Sequence, residues 1–143
     1  YGLAGARVGY ALGTLGNVQA FDKIRNHFGM ARVSVAAALA ALKDQDYLHE
    51  VVARIAAARD RISQIARDNG LSPLPSATNF VTIDCHRDGS YARAVVDGLM
   101  GHGVFIRMPG VEPLNRCIRV SAGTSDKLDL FEKALPKVLK ALG

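Results

Sequence analysis

The longest regular pattern in this sequence is an apolar repeat of helical spacing between Asp46 and Gly70. Residues three and four positions apart share one face of a helix, and an apolar face packs against a core. Asp46 is a candidate N-cap, and Asn69 with Gly70 suits a left-handed C-terminal cap. The apolar positions are Leu48, Val51, Val52, Ile55, Ile62, Ile65 and Ala66. The pattern predicts a helix of about six turns, long enough to bridge two domains.

Residues 1–46 carry weaker signals of one strand and two helices. Residues 6–12 are short, apolar and partly β-forming, which predicts a strand. Asn17 is a candidate cap for a short helix that runs to Arg25, and the alanine-rich stretch 33–43 predicts a second helix. This order is typical of the end of an α/β domain.

Strand and helix patterns alternate after the long helix. Pro73 and Pro75 mark a stiff connector. The predicted elements are a strand over 79–85, a helix capped by Ser90 and ended by Gly101, strands over 104–107 and 117–121, and a helix capped by Ser125. The predicted fold class is α/β: residues 1–46 form the C-terminal end of a large α/β domain, 47–70 a bridging helix, and 71–143 a small α+β domain.

The net charge of +5, from 18 Lys and Arg against 13 Asp and Glu, raises the question of a nucleic-acid partner. Phosphate binding needs cations gathered on one face, and single-strand binding adds aromatic side chains that stack on bases. The cations are instead spread along helices, at Arg54, Arg59, Arg61, Arg67, Lys133, Lys137 and Lys140. Solvated helix faces account for this distribution better, so no nucleic-acid partner is expected.

The sequence lacks the motifs of a disulfide framework, a metal site and a membrane helix. Cys85 and Cys117 lie 32 residues apart with no CxxC, so buried, reduced thiols of a cytoplasmic protein are expected. The run HEVVA at 49–53 begins like HExxH but ends in alanine, so no metal is expected. No apolar run approaches the roughly 18–20 residues of a membrane helix, so no membrane partner is expected.

Two arginines stand where strands are predicted. Arg7 follows a glycine-rich turn, and a guanidinium beside such backbone can grip a phosphate with two parallel hydrogen bonds. Strand alternation over 117–121 places Ile118 and Val120 on one face and Arg119 on the other. From spacing alone, a solvent-facing arginine explains both positions more simply.

Two runs together resemble a known family. YGLAGARVG at residues 1–9 and CIRVSAGT at residues 117–124 resemble segments of the histidinol-phosphate and aromatic aminotransferases, which bind pyridoxal phosphate. The resemblance extends through the long helix, the Asn79-Phe80 pair and the hairpin that contains Arg107. It implies the fold-type-I architecture of class I and II aminotransferases, with this chain as the C-terminal portion.

The resemblance implies roles for four residues. Arg7 matches the arginine that binds the phosphate of pyridoxal 5'-phosphate, and Arg119 matches the one that binds the substrate's α-carboxylate. Arg107 matches a contact to the substrate's far end, and Asn79 matches a residue that helps to orient the substrate. For Arg107, a purely structural role at the end of a hairpin stays open as an alternative. For Asn79, a role in forming a turn stays open. The Schiff-base lysine is expected just upstream of Tyr1, so no catalytic residue is expected in the chain itself.

The implied reaction is transfer of an amino group from an amino acid or histidinol phosphate to a 2-oxo acid, in amino-acid biosynthesis, by a cytoplasmic homodimer. A pyridoxal-phosphate-dependent decarboxylase similar to threonine-phosphate decarboxylase is the alternative on the same scaffold. A non-catalytic binding module is the alternative outside this chemistry. Histidinol phosphate, phenylalanine and tyrosine stay open as donors. His27 and Ala31 depart from the family's usual proline and asparagine, which bears on substrate choice.

Overall fold

The long helix predicted from the apolar repeat is present as α3 (Gln45–Asp68). Its N-terminus is capped by Asp44, whose carboxylate accepts a hydrogen bond of 3.2 Å from the backbone N–H of Tyr47, so the cap predicted at Asp46 is wrong. The predicted C-terminal cap is confirmed. Gly70 has a φ of 73°, and the N–H of Leu71 donates to the carbonyl of Ala66 at 2.9 Å, the pattern of a Schellman motif.

A computed structural model describes all 143 residues. They form two compact units, Tyr1–Val51 and Val52–Gly143, and the boundary falls inside α3. The sequence predicts residues 47–70 as a bridging helix between two domains. In the structure, the C-terminal part of α3 contributes side chains to the core of the second unit. No helix of the chain combines the length and the apolar character that a bilayer span requires.

The first unit is helical. It contains a short 3-10 turn (Ala4–Ala6), then α1 (Leu15–Asp22) and α2 (Arg32–Lys43). Thr14 caps α1 by accepting from the N–H of Asn17 at 3.5 Å, so Asn17 is not the cap.

The strand predicted over 6–12 is absent from the first unit, and residues 8–12 belong to no helix or strand. A strand needs a neighbour to satisfy its backbone groups, and this unit contains no other strand. Tyr10, within this segment, is 66% exposed, because no sheet packs over it. The apolar composition of this segment therefore does not produce a strand within the chain.

The second unit pairs a small antiparallel sheet with three helical segments. Its strands are β1 (Ser72–Pro73), β2 (Phe80–Asp84) and β3 (Cys117–Ser121), in the order β1-β2-β3. Its helices are the later part of α3, α4 (Gly89–Gly101) and α5 (Ser125–Leu142), with a 3-10 turn at Leu114–Arg116. This is the α+β arrangement predicted for the end of the chain.

The core of the second unit lies between one face of the sheet and the helices. Strand alternation buries Val81 and Ile83 of β2, together with Ile118 and Val120 of β3. The largest fully buried side chains include Phe131, Ile62, Ile83, Leu99, Ile118 and Leu135. The opposite face of the sheet is left for polar and aromatic side chains.

Two predicted helix caps in the second unit are wrong by one or two residues. Asp88 caps α4 by accepting from the N–H of Tyr91 at 2.9 Å, where Ser90 was predicted. The helix ends at Gly101, as predicted, and Gly103, with a φ of 77°, adopts the left-handed backbone just after it. Thr124, with an extended backbone, precedes α5 as its N-cap in place of Ser125.

Candidate anion-binding site

Arg107 and Arg119 lie directly opposite each other on adjacent antiparallel segments. The N–H of Arg119 donates to the carbonyl of Arg107 at 2.6 Å, and the N–H of Arg107 donates to the carbonyl of Arg119 at 3.2 Å. This is a single bridge, so the strand predicted over 104–107 is wrong. Two residues that exchange both bonds project their side chains from the same face. The two arginines are thus neighbours on one surface.

Arg119 occupies the face of β3 opposite the core, as strand alternation predicted. Ile118 and Val120 are buried, whereas Arg119 is half-buried. On its other side, Arg119 is paired in register with Thr82 of β2. Arg119 therefore lies between Thr82 and Arg107 in the row of side chains across the sheet.

Neither guanidinium of this pair has a carboxylate partner. No ion pair or side-chain hydrogen bond involves Arg107 or Arg119, although Arg61 and Arg116 of the same unit bind carboxylates at 2.5–2.7 Å. The one contact of the Arg119 guanidinium is with the ring of Phe80, 4.8 Å from the ring centroid. Like charges at directly opposed positions are unfavourable, and an anion between them removes that cost.

Arg7 lies in the first unit, at the end of the 3-10 turn. It has a left-handed backbone, with φ 51° and ψ 42°, where the sequence suggested an extended one. Such a conformation is unfavourable for a non-glycine residue, and residues that adopt it are often found at ligand-binding sites. Its guanidinium is exposed and donates to the carbonyl of Ala4 at 3.1 Å. No carboxylate pairs with Arg7, and its remaining donors fit a phosphate.

Asn79 precedes β2 and is exposed. Its backbone carbonyl accepts from the N–H of Ala122 at 2.8 Å, which extends the pairing of β2 with β3 by one step. This places Asn79 at the N-terminal end of the central strand of the same sheet that carries Arg119. The orienting role of its side chain stays a prediction.

The cysteines do not contribute to a reactive site. Cys85 and Cys117 are free and buried, as the sequence suggested. Burial, followed by the nearby Cys117, raises the pKa of the Cys85 thiol to about 11, so this thiol is protonated and unreactive at neutral pH. No three His, Cys, Asp or Glu side chains are grouped to hold a metal ion.

The sequence motifs do not identify the contribution of Phe80 and Thr82 to this surface. Phe80 enters the family resemblance only as the partner of Asn79 in a two-residue motif, and Thr82 belongs to no motif. The strand period already put both on the face of β2 away from the core. Their position beside Arg119 depends on the register between β2 and β3, which the sequence does not specify.

Comparison with known proteins gives a consistent family. A family model described as aminotransferase class I and II matches residues 1–135. A histidinol-phosphate aminotransferase 2 from Methylococcus capsulatus is 39% identical over 139 residues, which are 97% of this chain and 37% of that protein. The chain thus spans well under half of the curated relatives that it matches, and these matches do not confirm that the matched part is C-terminal.

Solved structures resemble the chain as well. The crystal structure of histidinol-phosphate aminotransferase from Sinorhizobium meliloti, in complex with pyridoxal-5'-phosphate, matches all of this chain and 39% of its own, with 65% identity and a TM-score of 0.94. This agrees with the predicted α/β class of fold type I. A decarboxylase from Sulfurospirillum multivorans, at 22% identity, shares the fold over 96% of this chain and 40% of its own with a TM-score of 0.70.

Proposed function

Because the chain belongs to the class I and II aminotransferase family, we propose that it is part of a pyridoxal-phosphate-dependent enzyme. The enzyme transfers an amino group from an amino acid or histidinol phosphate to a 2-oxo acid. The observation that carries the proposal is the pair of arginines, Arg107 and Arg119, on one face without a carboxylate partner. Substrates of this reaction carry carboxylate or phosphate groups, which are the anions that guanidinium groups bind best.

Arg119 is the proposed site for the carboxylate of the 2-oxo acid. Its planar guanidinium can bind both oxygens at once, which orients the carbon next to the carboxylate for proton transfer. Arg107 is the proposed contact for the far end of the substrate. A second cation at this position suits a molecule with two anionic ends or a phosphate, and it favours histidinol phosphate over phenylalanine and tyrosine as the donor. Asn79 is proposed to orient the substrate from the N-terminal end of β2.

Arg7 is the proposed ligand of the cofactor phosphate. Its exposed guanidinium and the neighbouring small residues Gly2 and Gly5 leave room for an anion beside the backbone. When bound, pyridoxal 5'-phosphate supplies a ring that accepts electrons from the substrate carbon. The Schiff-base lysine is proposed to lie upstream of Tyr1, outside these residues. Borohydride reduction of the full-length protein and peptide mass spectrometry identify the modified lysine.

The whole protein is proposed to be a cytoplasmic homodimer. Two buried, free thiols are consistent with a reducing compartment. Exposed apolar side chains of the first unit, among them Phe21, Ile24 and Phe28, are consistent with burial against other parts of the protein or a second subunit. Sedimentation of the full-length protein measures its subunit number, and a monomer contradicts this part of the proposal.

A donor panel on the full-length enzyme tests the activity. Histidinol phosphate, phenylalanine and tyrosine are each offered with 2-oxoglutarate, and glutamate formation is measured beside carbon dioxide release. Glutamate formed without carbon dioxide supports an aminotransferase. Carbon dioxide without glutamate supports the decarboxylase alternative. The decarboxylase from Sulfurospirillum multivorans shares the fold of this chain. A full-length protein with no modifiable lysine and no turnover supports a binding module instead.

A further inference from the structure

The guanidinium of Arg119 is held by an aromatic ring and not by a carboxylate. Its central carbon lies 4.8 Å from the centroid of the Phe80 ring. A guanidinium over a ring keeps its N–H donors free at its edge, whereas a guanidinium paired with a carboxylate uses two of them. Phe80 therefore restricts where the group lies without occupying the donors that a ligand needs.

Strand register brings the two side chains together. Phe80 is paired with Ser121, and Thr82 with Arg119, so Phe80 and Arg119 are diagonal neighbours on one face of the β2–β3 ladder. Diagonal neighbours are within reach of aromatic and long side chains. The contact is thus a property of the sheet, whose two strands fix the relative positions of both Cα atoms.

The backbone of Phe80 is itself anchored. Its carbonyl accepts hydrogen bonds from the hydroxyl of Ser76 at 2.5 Å and from the hydroxyl of Thr78 at 3.3 Å. The carbonyl of Thr78 in turn accepts from the guanidinium of Arg59 on α3, at 2.9 Å. A series of hydrogen bonds therefore connects α3 to the residue that supports Arg119.

We infer that Phe80 is a positioning residue for Arg119, which holds the guanidinium in the orientation that receives a substrate carboxylate. The inference rests on the proposed role of Arg119. Phe80 touches no reacting atom in this scheme, and it acts by reducing the number of rotamers that the long arginine side chain can occupy. Without the ring, the guanidinium must be ordered each time the carboxylate binds, and this weakens binding.

Three variants of the full-length enzyme test this inference. Phe80→Leu removes the ring and keeps an apolar side chain, whereas Phe80→Tyr keeps the ring. Phe105→Leu is the matched control, because Phe105 is a 73% exposed aromatic residue of the same unit with no ring contact to an arginine. Steady-state kinetics with varied 2-oxoglutarate give KM and kcat, and thermal melting checks that each variant is folded.

Phe80→Leu is expected to raise KM for 2-oxoglutarate about 3- to 10-fold while kcat changes less than about 2-fold, the range of an exposed cation–π contact. Phe80→Tyr and Phe105→Leu are expected to match the parent. An unchanged KM in Phe80→Leu overturns the inference, and so does a Phe80→Tyr variant as impaired as Phe80→Leu. Arg119→Ala distinguishes failure of this inference from failure of the proposed function. A raised KM in Arg119→Ala with a normal KM in Phe80→Leu rejects only the positioning role of Phe80. A normal KM in Arg119→Ala also rejects the carboxylate-binding role of Arg119.

Discussion

Gly98 of α4 lies directly against Val138 of α5. A Cβ atom at Gly98 would lie 2.7 Å from Cγ1 of Val138, closer than two carbon atoms can approach. Val138 is buried and branched, so it cannot rotate freely out of the way. Helices α4 and α5 thus meet at a glycine, and adding a side chain there tests how closely the two helices pack.

Gly98→Ala should destabilise the protein by about 1–2 kcal/mol, because the overlap with Val138 exceeds the gain in helix propensity. Gly101→Ala is the control, since an added Cβ there meets no atom within 4 Å. The control should lose no stability and should gain up to about 1 kcal/mol. Urea unfolding of both variants measures the difference. Equal stability of the two contradicts the described contact between α4 and α5.

Arg119→Ala in the full-length enzyme should lower kcat/KM for 2-oxoglutarate about 100-fold, on the order of 3 kcal/mol for a charged, two-point contact. Most of the change is expected in KM, because the carboxylate is bound in both the ground state and the transition state. Arg93→Ala, which removes an exposed arginine from α4, is the control and should keep parental kinetics. Normal kinetics in Arg119→Ala refute the assigned role.

Arg7→Ala should weaken retention of pyridoxal phosphate about 10- to 100-fold, the loss of one charge-assisted phosphate contact. Arg7→Gly is the informative companion, because glycine accepts the left-handed backbone at φ 51° that alanine resists. Equal cofactor loss in both variants assigns the effect to the guanidinium. Loss in the alanine variant alone assigns it to the backbone. Dialysis followed by the absorbance of the bound cofactor measures retention.

Cys85 should make the stability fall between about pH 9 and pH 11. Burial raises the pKa of this thiol from its ordinary value of 9.0 to about 11, so the folded protein keeps the proton after the unfolded chain has released it. The contribution is complete below the unfolded pKa and is lost as the pH rises through the folded pKa, by at most about 3 kcal/mol. Urea unfolding from pH 8 to pH 11 measures the slope. Cys85→Ala should flatten it, and an identical slope in the variant excludes the thiol as its source.

The elements of the second unit were largely predictable because their side chains alternate or repeat against a core within the chain. Strands β2 and β3 follow this rule, and so does the C-terminal half of α3, where Ile62, Ile65 and Ala66 are buried. Val52, in the first half of α3, is 56% exposed. Residues 6–12 show where the rule ends: their composition favours a strand, yet pairing depends on a neighbour that the local sequence does not provide. The observed N-caps, Asp44, Asp88 and Thr124, lie one or two residues before the predicted ones. Neighbouring polar residues can each cap a helix start, so the sequence does not decide between them.

The candidate site was predictable in its residues but not in its arrangement. Arg7, Arg107 and Arg119 were identified from motifs, and alternation gave the correct face for Arg119. That Arg107 and Arg119 lie opposite each other required the bridge between them, which is a matter of long-range register. The support from Phe80 depends on the same register and on the hydroxyl of Ser76.

The exposed side chains of the first unit bear on how the protein is best handled at the bench. Leu12, Ile24 and Phe28 are 91%, 81% and 96% exposed, and no residue before Ala58 is buried. Val52–Gly143, by contrast, contains every member of the core. A sample for solution NMR is therefore better started at Val52 than at Tyr1. The exposed apolar side chains of residues 1–51 promote aggregation, which broadens the resonances.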